Sequence, residues 1–478
     1  MSSVASAYEM VVGLEVHAEL KTKSKIFCSC PTEFGAPPNT QCCPVCMGLP
    51  GALPVLNRMA VEYAARAGLA THCTIATVSK LDRKNYFYPD MPKAYQISQY
   101  DMPLCRNGFL EIETEQGSRR IGIVRIHIEE DAGKLIHDES GQTLLDFNRC
   151  GIGLIEIVSA PDIRSGEEAR AYLQKLRTVL LYTGVSDCRM NEGSLRCDVN
   201  LSVRKKGETS FGVRTEIKNL NSFSYIVKAI EFEFRRQVAL LEAGETVRQQ
   251  TRRFDVPTGR TELMREKENA DDYRYFPEPD LPAIRLDEAW IDAVRRTVPR
   301  LPNERKAAYR ETYGLSAYDA EILTADPMTA DYFESGAART AHPKLLANAM
   351  LSELMRLSET ERFTCPISPV HMAELADLWG EGMINSSTVK NLIGQMWKNN
   401  RSPAELVREQ DLAQINDAAL LRDAVERALN DNPKALADYR NGKKAAAKVI
   451  MGRVMAQTRG RANPVLLGEL VERCMNQT

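Results

Sequence analysis

The residues best suited to chemistry are carboxylates that interrupt apolar, strand-like runs. Gly13-Leu14-Glu15-Val16-His17 puts Glu15 and His17 on one side of a strand, because side chains two positions apart share a face. Leu154-Ile155-Glu156-Ile157 carries a single acid between isoleucines. His127-Ile128-Glu129-Glu130-Asp131 offers consecutive acids, Asp198 and Asn200 alternate with Val199 and Leu201, and Glu216 sits in Arg214-Thr215-Glu216-Ile217-Lys218. A buried carboxylate is costly unless it is paired or binds a cation. Several oxygens and one imidazole suit Mg2+ or Mn2+, the ions that hold nucleotide phosphates. The competing reading is the solvated side of a half-exposed sheet, which weighs as much for any one of these residues. Glu156, flanked by isoleucines, favours function. The sequence has no Walker loop, dinucleotide fingerprint, H-E-x-x-H or G-x-S-x-G segment.

A second group is sulfur. Cys28-Ser29-Cys30 is followed by Cys42 and by Cys43-Pro44-Val45-Cys46. Two close thiol pairs joined by a short loop can converge on tetrahedral zinc. Cys28, Cys30, Cys43 and Cys46 are the expected ligands, with Cys42 left over. A site with four protein ligands has no open position, so this zinc is structural. The alternatives are a redox pair or unmetallated thiols.

These groups need a scaffold, and 478 residues are too many for one core, so two to four domains are expected. Met10–Val16, Ile121–Ile128 and Leu154–Val158 read as strands, and Glu167–Leu181 and Tyr225–Ala243 as helices with apolar residues three and four apart. Strands close in sequence without regular helical crossovers predict a largely antiparallel sheet. The proline-dense Pro277–Pro282 reads as an extended exit from this domain. From Glu288 onward helical patterns dominate, with Ser402 capping a helix that has Pro403 at its first position. The fold class is therefore α+β, divided as residues 1–294, an all-α domain 295–402 and an all-α tail 403–478.

No apolar run approaches the ~20 residues of a membrane span, and Glu9 interrupts any secretory-type start, so the expected location is cytoplasmic. A net charge of -2 argues against coating nucleic acid by bulk charge and makes any RNA contact local. One such place is Asp431–Thr478, with nine Lys/Arg against four Asp/Glu. Arg440, Lys444 and Lys448 recur every four residues and are expected on one helical face, with Lys443 beside them and Arg459 and Arg461 in a basic turn.

Longer runs resemble a known family. Val12–His17, Leu81–Asp90, Glu129–Lys134, Asp146–Arg149, Leu154–Val158, Arg189–Asn200 and Asp272–Pro277 are similar, in order, to the B subunit of the tRNA-dependent amidotransferase, and the tail resembles the YqeY-like domain. The resemblance implies a cradle-shaped N-terminal domain. It uses ATP to phosphorylate the side-chain carboxylate of Glu-tRNA(Gln) or Asp-tRNA(Asn), and ammonia then displaces the phosphate. By that likeness Glu15, His17, Glu130, Glu156 and Glu216 surround Mg2+, with Asp198 nearby and Glu129 as the alternative to Glu130. Lys84 meets phosphate or carboxylate charge, with Arg83 a weaker choice. Glu266 stands where the family usually has serine. The chain has no amidase signature, so the resemblance implies an amidase-type A subunit that releases ammonia, a small C subunit, and tRNA contact through the tail. Two alternatives stay open: a non-catalytic zinc-containing tRNA-binding protein, and the archaeal-type E subunit, for whose inserted domain Pro282–Pro302 leaves no room.

Overall fold

The structure, a computed structural model, describes residues 7–115, 117–137, 141–266, 273–358, 363–458 and 460–477. The chain forms two compact units, divided between Leu301 and Pro302.

The first unit is built on a nine-stranded sheet. In chain order its strands are β1 (Tyr8–Glu19), β2 (Thr74–Ile75), β3 (Cys105–Thr114), β4 (Gly117–Glu130), β5 (Gly153–Ser159), β6 (Leu195–Lys205), β7 (Thr215–Lys218), β8 (Gln250–Asp255) and β9 (Arg260–Glu266). Their spatial order is β9-β8-β7-β6-β1-β5-β4-β3-β2. Every pair is antiparallel except β7–β8, as the sequence predicts for a sheet with few crossovers.

Alternation along the strands separates the two faces. Val12, Leu14, Val16 and Ala18 of β1, Ile155 and Ile157 of β5, Ile126 and Ile128 of β4, and Cys197, Val199 and Leu201 of β6 belong to one buried core. Three helices supply the rest of that core: α1 (Arg58–Ala70), α2 (Gly166–Tyr182) and α3 (Phe223–Glu242). Each begins at a side-chain cap on a backbone N–H, from Asn57, Ser165 and Ser222 in turn. Truncating fully buried Ile155 or Ile157 to alanine costs about 2–5 kcal/mol. The face so fixed leaves the intervening residues of the same strands, the acids among them, pointing the other way.

A small sheet of Asp82–Asn85, Tyr95–Ser98 and Phe276–Pro277 adjoins the main one. Pro277–Pro282 is therefore no free exit from the domain. Phe276 and Pro277 pair with Arg83 and Asp82, and Ile284–Arg285 returns to pair with Val78–Ser79. The helix Glu288–Thr297 puts Ile291 and Val294 into the same core.

The second unit is helical. One hydrophobic cluster runs from Tyr309 to Val407 and a separate one from Leu421 to Met475. Ser402 caps the helix Pro403–Glu409 by accepting from the Glu405 N–H, as expected. The expected helical face of Arg440, Lys444 and Lys448 does not form. The helix Pro433–Arg440 ends at Arg440, Gly442 has φ +89°, and Lys444 opens a 3-10 turn ahead of the helix Ala447–Gln457. Asn441-Gly442 is a helix stop, because glycine takes positive φ without a Cβ penalty. Arg440, Lys443, Lys444 and Lys448 are nonetheless exposed around that stop. Arg461 turns inward to the Asp411 carboxylate at 2.5 Å, and Arg459 lies outside the described residues. Among the described residues no helix is long and apolar enough to cross a membrane.

Candidate active site and metal centre

Register places a row of polar side chains across three neighbouring strands. His17 of β1 stands opposite Glu156 of β5, which stands opposite His127 of β4. Glu129, two residues beyond His127, shares that face. The His17 Nε2 lies 3.3 Å from Glu156 Oε2 and 3.7 Å from Glu129 Oε1. The His127 Nε2 lies 3.3 Å from Glu129 Oε2 and 3.6 Å from Glu156 Oε2. Ser98 Oγ donates to Glu129 Oε2 at 2.9 Å, and Arg125 approaches Glu156 at 3.7 Å. One donor atom each from His17, Glu129 and Glu156 falls within a 4.8 Å set, a spacing that could hold one cation.

Burial pushes the Glu156 carboxyl up, but His127 and His17, with Lys84, outweigh it and hold Glu156 well below the usual carboxylate range. Glu129 is likewise lowered against its own burial, by His127 and Lys84. Burial disfavours the charged form of His17, yet its hydrogen bond to Glu156 raises it overall. Lys84 stands on the strand edge paired with Gln96, with its ammonium 4.9 Å from the Tyr273 ring centroid. Burial works against that charge, and Glu129 and Glu156 hold it above the ordinary lysine value.

A second acidic group lies roughly 7 Å along β1, two residues from His17. Glu15 accepts from Asn200 Nδ2 at 2.8 Å, and Glu216 from Thr251 Oγ1 at 2.9 Å. Lys218 Nζ sits 2.6 Å from Asp198 Oδ2 and 3.0 Å from Glu216 Oε1. Burial, then the carboxylates of Glu156, Asp198 and Glu216, push Glu15 up. A cavity of about 250 Å3 opens beside Glu15, with Gly13, Ser159, Asn200, Phe211, Gly212 and Arg214 on its walls. A Cβ on Gly212 would lie 2.1 Å from the Val203 carbonyl oxygen, so glycine permits this close approach.

The structure thus splits the predicted cation set. His17, Glu129 and Glu156 come together; Glu15, Asp198 and Glu216 form a neighbouring group. Glu130 belongs to neither. Its carboxylate meets Lys93 Nζ and accepts from the Ile97 N–H at 2.8 Å, on the opposite side of β4 from Glu129. Arg83 is held by Glu278 at 2.7 and 2.9 Å and lies over the Tyr95 ring.

The sulfur atoms of Cys28, Cys30, Cys43 and Cys46 lie within 4.8 Å of one another. Zinc–sulfur bonds of roughly 2.3 Å give a tetrahedral edge of about 3.8 Å, and the Cys43 and Cys46 sulfurs are 3.9 Å apart. The Cys46 sulfur accepts from the Cys43 N–H at 3.2 Å. A hydrogen bond from Cys28 holds the Cys46 thiol far below its usual value. The all-sulfur donor set and its spacing fit a metal such as zinc, while Cys42 Sγ turns to Asn148 Oδ1 at 3.9 Å.

Residues 10–292 match the family described as the GatB/GatE catalytic domain, and 331–475 match the one described as the GatB domain. Curated relatives, all of them B subunits of an aspartyl/glutamyl-tRNA(Asn/Gln) amidotransferase by name, align almost end to end. The one from Caldicellulosiruptor bescii is 54% identical over 97% of this chain and 98% of its own length. The one from Carboxydothermus hydrogenoformans is 51% identical over 97% and 98%. That from Brevibacillus brevis is 49% identical over 98% and 99%. The chain belongs to this B-subunit family. The second domain match and these relatives distinguish it from the E subunit, with which it shares the first.

Sequence reasoning misses His127, Arg125 and Lys218, although the runs containing two of them are in view. His127 is detectable: it alternates with Glu129 on one strand, as His17 does with Glu15. Lys218 is not, because its position between Asp198 and Glu216 depends on the pairing of β6 with β7.

Proposed function

We propose that this chain is the synthetase component of a tRNA-dependent amidotransferase, an ATP-dependent carbon–nitrogen ligase acting on Glu-tRNA(Gln) or Asp-tRNA(Asn) in the cytoplasm. The observation that carries this reading is the His17–Glu156–His127 row with Glu129, a charged pocket set on a rigid sheet. An oxygen of the substrate carboxylate attacks the γ-phosphorus of ATP and ADP leaves. Ammonia then attacks the acyl carbon, phosphate departs with that oxygen, and the amide remains. Mg2+, when bound, neutralises phosphate charge.

The two acidic groups, His17/Glu129/Glu156 and Glu15/Asp198/Glu216, are the residues that would hold Mg2+. Lys84 and Arg125 supply positive charge beside them, and the strands keep both in place before substrate arrives. The cavity beside Glu15 is the place for the nucleotide, since it offers an aromatic ring, Phe211, and a guanidinium, Arg214, next to the acids. The knuckle cysteines carry structural zinc. The reading divides the chain as 1–294, 295–402 and 403–478, with tRNA contact through Arg440, Lys443, Lys444 and Lys448. Arg461, engaged by Asp411, contributes less, and Arg459 completes the basic turn. Ammonia comes from an amidase-type A subunit, which a small C subunit steadies, consistent with the names of the relatives.

The test is Glu156→Gln in the assembled complex, supplied with glutamine, ATP and misacylated tRNA. ATP-dependent amide formation is expected to fall by about 10²–10³-fold while glutamine hydrolysis by the partner continues. Undiminished amidation overturns the assignment. Unchanged tRNA affinity with no amidation in the wild-type complex itself favours a non-catalytic tRNA-binding protein.

A further inference from the structure

Lys25 is fully buried, at 0% exposure. Among the described residues no carboxylate forms an ion pair with it. Its Nζ donates to the Gln41 carbonyl at 2.7 Å and the Phe147 carbonyl at 3.3 Å, and lies 3.7 Å from the Cys46 sulfur. An ammonium taken out of water with no counter-charge is strongly unfavourable, and two carbonyls hydrogen-bond it without neutralising it. Of its three polar neighbours, only Cys46 can become an anion, and Cys46 is one of the four clustered thiols.

Those four cysteines account for the lysine if they are thiolates on a divalent ion, a unit of formal charge −2. Charge of that sign in a protein interior needs a compensating cation, and a hydrogen-bonding neighbour of a ligand sets its orientation and donor strength. Four neutral thiols would leave the ammonium with nothing to balance. The same lysine also ties two segments together: Gln41, two residues before Cys43, and Phe147, in the turn that leads into β5 and Glu156. Further contacts hold the two together, since Cys150 Sγ donates to the Cys46 carbonyl at 3.3 Å and the Ile26 N–H donates to the Gly151 carbonyl at 3.0 Å.

We propose that Lys25 is the counter-cation of a zinc tetrathiolate at Cys28, Cys30, Cys43 and Cys46, a positioning residue that sets how tightly the knuckle retains its metal. This rests on reading the four cysteines as a metal centre, and it is independent of the amidation chemistry. The test uses the full-length chain as wild type, Lys25→Met and Lys25→Gln, the last keeping a hydrogen-bond donor without the charge. Zinc content of the wild type is measured first; a metal-free wild type sinks the metal-centre reading, and the proposal with it. Competition with a chromophoric chelator then gives zinc affinity, expected to fall by about 10–100-fold in both variants. With Co2+ in place of zinc, the sulfur-to-metal charge-transfer band is expected to move to lower energy, because a thiolate that loses its N–H contact is a stronger donor. Loosened packing alone would not move that band. A zinc-replete wild type whose folded variants bind zinc within about threefold of it, or leave the band in place, overturns the role given to Lys25 and leaves the metal centre standing. If Lys25→Met does not fold, Lys25→Gln decides.

Discussion

Glu129 and Glu130 are chemically identical neighbours, and their opposite orientations on β4 make opposite demands. Glu130 is buried against Lys93, with side-chain exposures of 1% and 7%. Replacing Glu130 by glutamine keeps an acceptor for the Ile97 N–H but leaves a buried ammonium without its partner. Breaking one side of such a pair costs about 3–5 kcal/mol. Lys93 keeps weak contacts with the Tyr95 and Phe27 rings, 5.2 and 5.7 Å away, which favours the lower end. Glu129→Gln removes one negative charge from a crowded acidic site, and glutamine still accepts from Ser98, so the fold should lose less than about 1 kcal/mol. The activity costs are expected in reverse. Glu129→Gln should lower amide formation by about 10²–10³-fold, whereas Glu130→Gln, assayed below its unfolding temperature, should stay within about tenfold of wild type. Denaturant unfolding of the chain and amidation by the assembled complex measure the two quantities. Lys93→Met combined with Glu130→Gln should recover most of the lost stability, because neither charge is then stranded. A Glu130→Gln protein as stable as wild type and as inactive as Glu129→Gln would refute this division of labour.

Other consequences follow from particular contacts. Burial, then Asp131, pushes Glu19 up to about 8. A folded value above the unfolded one means that stability from this group is full below about pH 4.5 and is lost as pH rises toward 8. Glu19→Gln should therefore stabilise the metal-free chain by about 2–4 kcal/mol at pH 8 and hardly at all at pH 4.5; a pH-independent difference in denaturant midpoint would be wrong for this account. Lys218→Met removes the ammonium between Asp198 and Glu216, so Mg2+ should raise the melting temperature of the variant more than that of wild type, and equal shifts would argue against a cation site there. Replacing Lys443 and Lys444 by alanine should weaken tRNA binding and reduce the slope of log affinity against log salt by about one unit per lost phosphate contact; an unchanged slope would remove the tail from the RNA interface.

Much of this architecture can be read along the chain, and the reasons are local. Strand alternation at Leu154–Val158 forces Glu156 to the face opposite Ile155 and Ile157, and that face is where β5 carries it. The cysteine spacing is enough to choose four ligands and omit Cys42, because C-x-C and C-x-x-C pairs bring sulfurs together whatever surrounds them. What depends on pairing between distant strands is not readable in this way. The separation of Glu15, Asp198 and Glu216 from His17, Glu129 and Glu156 comes from the register of β1 between β5 and β6, a contact between segments about 140 and 180 residues apart. Orienting Glu129 and Glu130 takes the small sheet, which brings Ser98 to one and the Ile97 N–H to the other. The tail misleads for a different reason. Its four-residue charge spacing suggests one continuous helix, yet Asn441-Gly442 places a stop signal inside that stretch.

The central claim is that the pocket formed by His17, Glu129 and Glu156 activates a carboxylate by making one of its oxygens part of a phosphate. The most direct measurement follows that oxygen. Misacylated tRNA carrying oxygen-18 in the side-chain carboxylate is turned over by the assembled complex, and the released inorganic phosphate is examined by mass spectrometry. The account predicts transfer of about one labelled oxygen to phosphate for each amide formed, and loss of both products together in Glu156→Gln. Continued amide formation with unlabelled phosphate would contradict it.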